Sequence, residues 1–193
     1  EDVMNSKKLT DDLRLLNCSR PCTGSASILL ASKEIAEKYT DMPIWITGIG
    51  QKTTSAGFTK NISLTSMEST VIAGQSALKM SNHNISEIDV AEVHDAFSVC
   101  EPMALESLGF TNPGQGINMV QKLHETDNFM INPRGGLIGS GHPLGATGIS
   151  QTIEIVQQLQ KTAGNRQTNN PKTGLVHNMS AAATSSTVLV LEK

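Results

Sequence analysis

Apolar and polar positions recur along this chain at two different periods, and the switches between them mark out elements. Ser25 to Ala31 (SASILLA) is a short apolar run bounded by Gly24 and Ser32, the pattern of a buried strand. Ser32 then stands where an N-cap belongs, ahead of KEIAEKY, in which Ile35, Ala36 and Tyr39 share a face; Asp41-Met42-Pro43 closes this short helix. Ile44 to Ile49 reads as a second strand and Gln51 to Ile62 as a polar loop. From Ser66 to Ser81 the spacing turns helical, with Val71, Ala73, Ala77, Leu78 and Met80 on or beside one face. Ile88 to Val93 alternates as a third strand, and Ala96 to Leu108 is helical and closed by Gly109. After a glycine-rich loop, Ala146 to Leu159 is predicted as a helix and Lys161 to Lys172 as a surface linker. Gly174 to Met179 and Thr187 to Leu191 are predicted as two final strands. The order, βαβαβα followed by ββ, predicts a layered α/β domain with a largely parallel sheet.

Composition narrows the classes of function. With 193 residues the chain is long enough for one sizeable domain, and a net charge of -3 gives it no overall pull toward nucleic acid or an anionic membrane. One Trp, one Tyr and four Phe, scattered, provide no stacking platform for a single strand. No apolar run approaches the ~18 residues of a membrane-spanning helix, and the N-terminus has no secretory pattern. Cys18, Cys22 and Cys100 are odd in number and lack the spacing of a zinc site, which fits a reducing, cytoplasmic compartment. Charged residues are only 17%, against roughly 25% for ordinary domains, so part of the surface is expected to be covered by another chain, as in a homo-oligomer. A first residue that is Glu and not Met points to a piece of something longer.

Three histidines stand at sheet-associated positions. Asn132 to Gly148 (NPRGGLIGSGHPLGATG) holds His142 among six glycines that let backbone approach a ligand closely. A phosphate-cradling reading fails, because His142-Pro143 occupies the Lys-Ser/Thr place, and a dinucleotide GxGxxG from Gly139 fails at Leu144. The turn therefore either fixes an imidazole able to exchange protons or holds a structural histidine. His94 closes the third strand, at the carboxyl end where α/β sheets place ligand-facing groups. His177 lies in the apolar run GLVHNMS, where burial demands hydrogen-bond partners. His83 and His124 sit in polar surroundings and read as solvated.

NPRGGLIGSGHPLGATG resembles the GGxxxGHPxGxxG signature of thiolases, and VHDAFSVCEPMALESLGF resembles the HDxF segment of the archaeal and sterol-carrier-protein types. Leu13 to Leu30 is similar to the segment opening a thiolase C-terminal half, and GLVHNMSAAATSSTVLVLE to its closing strand pair. The resemblance thus covers residues 1–193 as one thiolase C-terminal domain. It implies a layered αβα half with a mixed, mainly parallel five-stranded sheet, and a nucleophilic cysteine donated by an absent N-terminal half.

The resemblance implies an acyl-CoA thiolase that condenses or thiolytically cleaves 3-ketoacyl-CoA, with acetyl-CoA and acetoacetyl-CoA as the expected pair. A coenzyme A thioester would be substrate and no cofactor would be needed. His142 would activate the nucleophile, His94 would complete the oxyanion hole directly or through water, and Gly139, Ser140 and Gly141 would contact the substrate. Implied partners are the N-terminal half, further copies of the chain, a hydroxymethylglutaryl-CoA synthase and a small zinc-containing protein. The acid/base cysteine of many thiolases would fall at Met179, and that of the sterol-carrier type at Ala96. Ser180-Ala181-Ala182-Ala183 replaces the family's glycines. Cys100, about a turn and a half beyond His94, is expected to be a packed thiol, which leaves His177 as candidate base. The alternative function is a thiolase-like subunit that binds acyl-CoA or partner proteins, or supports a retro-aldol reaction, without Claisen chemistry.

Overall fold

The computed structural model describes residues 1–57, 63–125 and 130–193. Along the chain these form α1 (Asp2–Asn5), α2 (Lys33–Tyr39), β1 (Trp45–Thr53), α3 (Glu68–Ser81), β2 (Val90–Glu92), α4 (Cys100–Leu108), α5 (Gly116–Lys122), β3 (Met130–Ile131), α6 (Gly136–Ser140), α7 (Thr147–Gln160), β4 (Thr173–Met179) and β5 (Ser185–Glu192). The strands make one mixed sheet in the order β1-β5-β4-β2-β3. β1 and β4 flank β5 antiparallel, whereas β2 lies parallel to both β4 and β3.

Side-chain alternation along β4 and β5 divides the core into two layers. Leu175, Val188 and Val190 pack with Ala73 and Ala77 of α3 and with Ala104, Leu105 and Leu108 of α4. Val176 and Leu191 point the other way, onto Ile155 and Leu159 of α7. The result is an αβα sandwich. Its closest approach is at β1, where Gly48 and Gly50 leave room for α3: a Cβ at Gly50 would lie 1.8 Å from the Ala73 carbonyl oxygen.

Four of the five expected strands are present; the fifth is not. Residues 25–31 pair with no strand among the described residues, and Leu29 is 94% and Leu30 69% exposed. An apolar run becomes a strand only where a sheet edge receives it, and this sheet ends elsewhere. The two-residue β3 fills the parallel edge instead. Nor is the sheet mainly parallel: its parallel ladders are short and its antiparallel ones long, because polar Gln51 to Thr53 continue β1 alongside β5. The helix expected from Ala96 begins at Cys100, since Ala96 and Ser98 use their backbone groups on the chain's N-terminal segment. The 161–172 stretch is more than a solvated linker. Thr168 is buried, its N–H bonded to Gln158, while Arg166 pairs with Glu154 at 3.0 Å. His83 is also tied down, 3.5 Å from Glu192. Residues 58–62 of the expected polar loop, and the side chain of His124, lie outside the described part.

Candidate active site

β2, buried on both faces, delivers Val93-His94-Asp95 to one end of the sheet. The loop after it is fixed from several sides. The Val93 N–H donates to Asn132 Oδ1 at 2.8 Å, and the Asn132 N–H returns to the Ala91 carbonyl at 2.8 Å. Asp95 accepts the N–H groups of Leu137 at 2.6 Å and Ile138 at 3.4 Å, so its carboxylate caps α6 and ties the glycine-rich loop to the His94 loop. Gly136, at φ +62°, makes room for that carboxylate. A strap of residues 17–22 crosses both loops. The Ser98 N–H donates to Asn17 and the Ser19 N–H to Ala96, each at 2.9 Å, and the His142 N–H donates to Arg20 at 2.8 Å.

This scaffold brings His94 and His142 edge to face, with ring centroids 5.1 Å apart. Their hydrogen-bond partners fit opposite tautomers. The Thr147 hydroxyl lies 2.7 Å from Nδ1 of His142 and also reaches the Pro143 carbonyl at 3.3 Å; with its proton on that carbonyl, Nδ1 donates and Nε2 keeps a free lone pair. Asn178 donates one amide hydrogen to Gln151 Oε1 at 2.9 Å and the other to Nδ1 of His94 at 3.0 Å, so the proton of His94 resides on Nε2. Burial keeps both rings neutral. It pushes His94 down to about 4, helped by His142, and it lowers His142 as well, against the pull of Asp95.

His177 is placed differently from the expectation that it takes a substrate proton. It is fully buried and does not line the cavity described below. Its Nδ1 accepts the His94 N–H at 3.5 Å, and its Nε2 meets Thr70 Oγ1 at 3.0 Å. From Thr70 the hydroxyls run to Ser186, to Ser69 and to the Ala183 carbonyl at 2.9, 2.7 and 2.6 Å. Both ring nitrogens are thus committed to protein groups, and burial lowers the ring to about 3. Its position makes it a support for His94. The buried Ser69-Thr70 pair was the overlooked signal: two polar residues on the inner face of α3 need partners.

Behind His94 opens a cavity of about 640 Å³, mostly apolar, between the starts of α3 and α4 and the turn 180–183. Met67, Met103, Met179, Phe97 and Cys100 form much of its wall. Ala182 and Ala183 adopt φ of +55° and +51°, a left-handed conformation that costs alanine about 1 kcal/mol or more each. Gly139 and Ser140 are exposed beside His142; the Ser140 hydroxyl bonds to the Gly136 carbonyl, and Gly141 packs on the Cys22 sulfur. A second group missed by sequence reading is Glu92, fully buried, whose Oε2 accepts from Arg134 at 3.2 Å while Oε1 has no partner. Burial raises this carboxyl to about 8, with Glu154 and Asp95 adding to the rise and Arg134 opposing it.

Residues 50–193 match the family described as Thiolase C-terminal domain-like. The chain belongs to the thiolase family. The whole chain is 36% identical to an acetyl-CoA acetyltransferase of Methanothermobacter thermautotrophicus and spans 51% of that protein. It is 34% identical to sterol carrier protein 2 of Bos taurus, over 93% of this chain and 34% of that one. The chain therefore spans about half, or less, of these relatives. Its fold is shared by a solved Ltp2-ChsH2(DUF35) aldolase, with a TM-score of 0.84 at 21% identity, covering 99% of this chain and 50% of the other. In thiolase terms, the glycine-histidine-proline turn and the HDxF segment meet at the His142–His94 pair, and both positions expected for a second cysteine, Ala96 and Met179, line the cavity behind His94. Among the described residues no group of His, Cys, Asp and Glu is placed to hold a metal ion, and no helix is long and apolar enough to cross a membrane.

Proposed function

We propose that this chain is the C-terminal half of an acyl-CoA thiolase, catalysing Claisen condensation or thiolytic cleavage of 3-ketoacyl-CoA, with acetyl-CoA and acetoacetyl-CoA as the substrate pair. The observation that carries this is the edge-to-face pair of His94 and His142, whose hydrogen-bond partners fit opposite tautomers. Acyl transfer through a thiol needs an acceptor for the thiol proton and a donor toward the thioester oxyanion. His142 offers the first through the lone pair of Nε2, and His94 the second through its Nε2–H. His94 is held neutral by burial, so it can donate without a counter-ion. The nucleophilic cysteine would come from the other half, and Gly139, Ser140 and Gly141 would contact the coenzyme A thioester, which needs no further cofactor. The name of the Methanothermobacter relative supports the acetyl substrate. Assembly as a homo-oligomer in the cytoplasm, with a hydroxymethylglutaryl-CoA synthase and a small zinc protein as partners, belongs to the same proposal.

In the complete enzyme His142→Ala is expected to slow acylation of the nucleophile by about 100-fold or more, and His94→Ala by a similar factor, with melting temperature preserved. Unchanged acylation in either variant removes that histidine from the mechanism. Ala96 and Met179 favour a second reading, a thiolase-like subunit that binds acyl-CoA or supports retro-aldol cleavage. A wild-type enzyme that acylates but never exchanges an α-proton would select it.

A further inference from the structure

Claisen chemistry requires a group that moves the α-carbon proton, and neither histidine of the facing pair is free for that duty. His94 presents a proton-bearing Nε2, and His142 does not line the cavity. Among the described residues the ionisable side chains that do line it are Glu68, His94 and Cys100. Glu68 is exposed at the first turn of α3. Cys18 bonds to the Arg14 carbonyl at 3.5 Å and Cys22 packs on Gly141, both away from the cavity. Cys100 is only 9% exposed and is the first residue of α4, clustered with Met67 and Met179 in the cavity wall that also holds Ala96. It therefore shares that wall with both positions where a second cysteine was expected. The helix that follows Ala96 starts late enough to bring position 100 into the cavity.

We propose that Cys100 is the catalytic acid/base: its thiolate removes the α-proton of the thioester in condensation, and its thiol returns a proton to that carbon in cleavage. This rests on the thiolase reading above. In condensation the proton of the resting thiol passes to the coenzyme A thiolate released on acylation; the Cys100 thiolate so formed then breaks the C–H bond, the electron pair stays on the enolate, and the S–H bond re-forms. In cleavage the departing enolate carbon takes the Cys100 proton, and the incoming coenzyme A thiol, deprotonated as it attacks the acyl-enzyme, replaces it. The charged or titratable groups facing Cys100 are Glu68 from α3 and His94 and Asp95 from the β2–α4 loop, while the end of β4 and the 180–183 turn bring only Met179, Ser180 and alanines. Burial, with a smaller push from Asp95, holds the proton on the sulfur against a backbone hydrogen bond at Phe97. The resting group is thus a thiol, ready for the cleavage direction. Its place at the start of α4 limits the cost of the thiolate once formed.

The test uses the complete enzyme, its nucleophile-bearing half included. Release of deuterium from trideuteroacetyl-CoA into water is measured beside the burst of nucleophile acylation, for wild type, Cys100→Ser and Cys100→Ala. The expected result is exchange lowered at least 100-fold with acylation within threefold of wild type. Exchange within threefold of wild type in either variant overturns the proposal, as does equal loss of both steps in variants with the wild-type melting temperature. Should neither variant fold, Cys100→Val, which keeps an apolar side chain of similar size in the cavity wall, decides: exchange lowered at least 100-fold beside acylation within threefold of wild type supports the proposal, and exchange within threefold of wild type overturns it. A wild-type enzyme that neither acylates nor exchanges would instead overturn the thiolase reading itself.

Discussion

Replacing Gly136 by alanine should damage the site through Asp95. A Cβ there would lie 2.0 Å from Asp95 Oδ2 and 2.6 Å from Oδ1, and the backbone has φ +62°. The left-handed conformation alone costs alanine about 1 kcal/mol. The larger cost is the carboxylate, which must leave the Leu137 and Ile138 N–H groups while remaining buried. Only the 2.6 Å bond counts fully, and a hydrogen bond to a charged group contributes about 2 kcal/mol, with a further 1 kcal/mol or so for burial without a partner. Against this stands about 0.5–1 kcal/mol gained by restricting the unfolded chain. The net expectation is a loss of about 3–4 kcal/mol, a large share of a typical 5–15 kcal/mol. Urea unfolding of Gly136→Ala reads that loss, and stopped-flow acylation reads the displacement of His142 six residues on. Gly139→Ala is the stability control, because nothing stands within 4 Å of its Cβ and φ is ordinary; it should keep only the unfolded-chain gain, about 0.5–1 kcal/mol. A loss below about 1 kcal/mol with normal acylation in Gly136→Ala would show that Asp95 does not pin the loop.

Relieving backbone strain should work in the opposite direction at the cavity rim. Ala182→Gly or Ala183→Gly is expected to gain about 0.5 kcal/mol net, raising Tm by roughly 1–2 °C, and a fall in Tm would remove strain from the account. Stability should also vary with pH in two opposed ways. His94 and His177, at about 4 and 3 in the fold, have ordinary values near 6.5, so their contribution is complete above pH 6.5 and is lost as pH falls toward those values, about 2 kcal/mol each from pH 7 to 5. Glu92, raised to about 8, contributes fully below its ordinary 4.5 and loses that contribution as pH rises through 8. Glu92→Gln should therefore steepen the loss of stability between pH 7 and 5; urea midpoints with the same pH slope as wild type would refute the opposition.

Reading period and caps alone located β1, β2, β4, β5, α2, α3 and α7 to within a few residues, because each carries its own signal. Where that reading failed, the information was not local. Residues 25–31 have the pattern of a strand, but pairing is a property of the receiving edge, and none among the described residues receives them. α6 and α5 are short and begin at glycines, which carry no helix signal. At the site, strand ends and glycine spacing single out His94 and His142, and the structure brings the two rings edge to face. Their tautomers depend on Asn178, Gln151 and Thr147, three ordinary polar residues distant in sequence from His94 or set within α7. A continuous helix from Ala96 would turn Cys100 toward the packing side. A loop up to Val99 changes the rotation, and a thiol that is indeed buried becomes part of the cavity wall.

The strap of residues 17–22 separates the capacity to fold from the capacity to react. It supplies no side chain to the core clusters of the sandwich. Yet Ser19 and Arg20, adjacent in sequence, reach one histidine loop each, and the rigid peptide unit between them serves as a ruler for the distance across the pair. One residue inserted between these two adjacent anchors would put the histidines out of register while leaving the core clusters untouched. A graft of this chemistry onto a related scaffold must therefore carry the ruler as well as the domain.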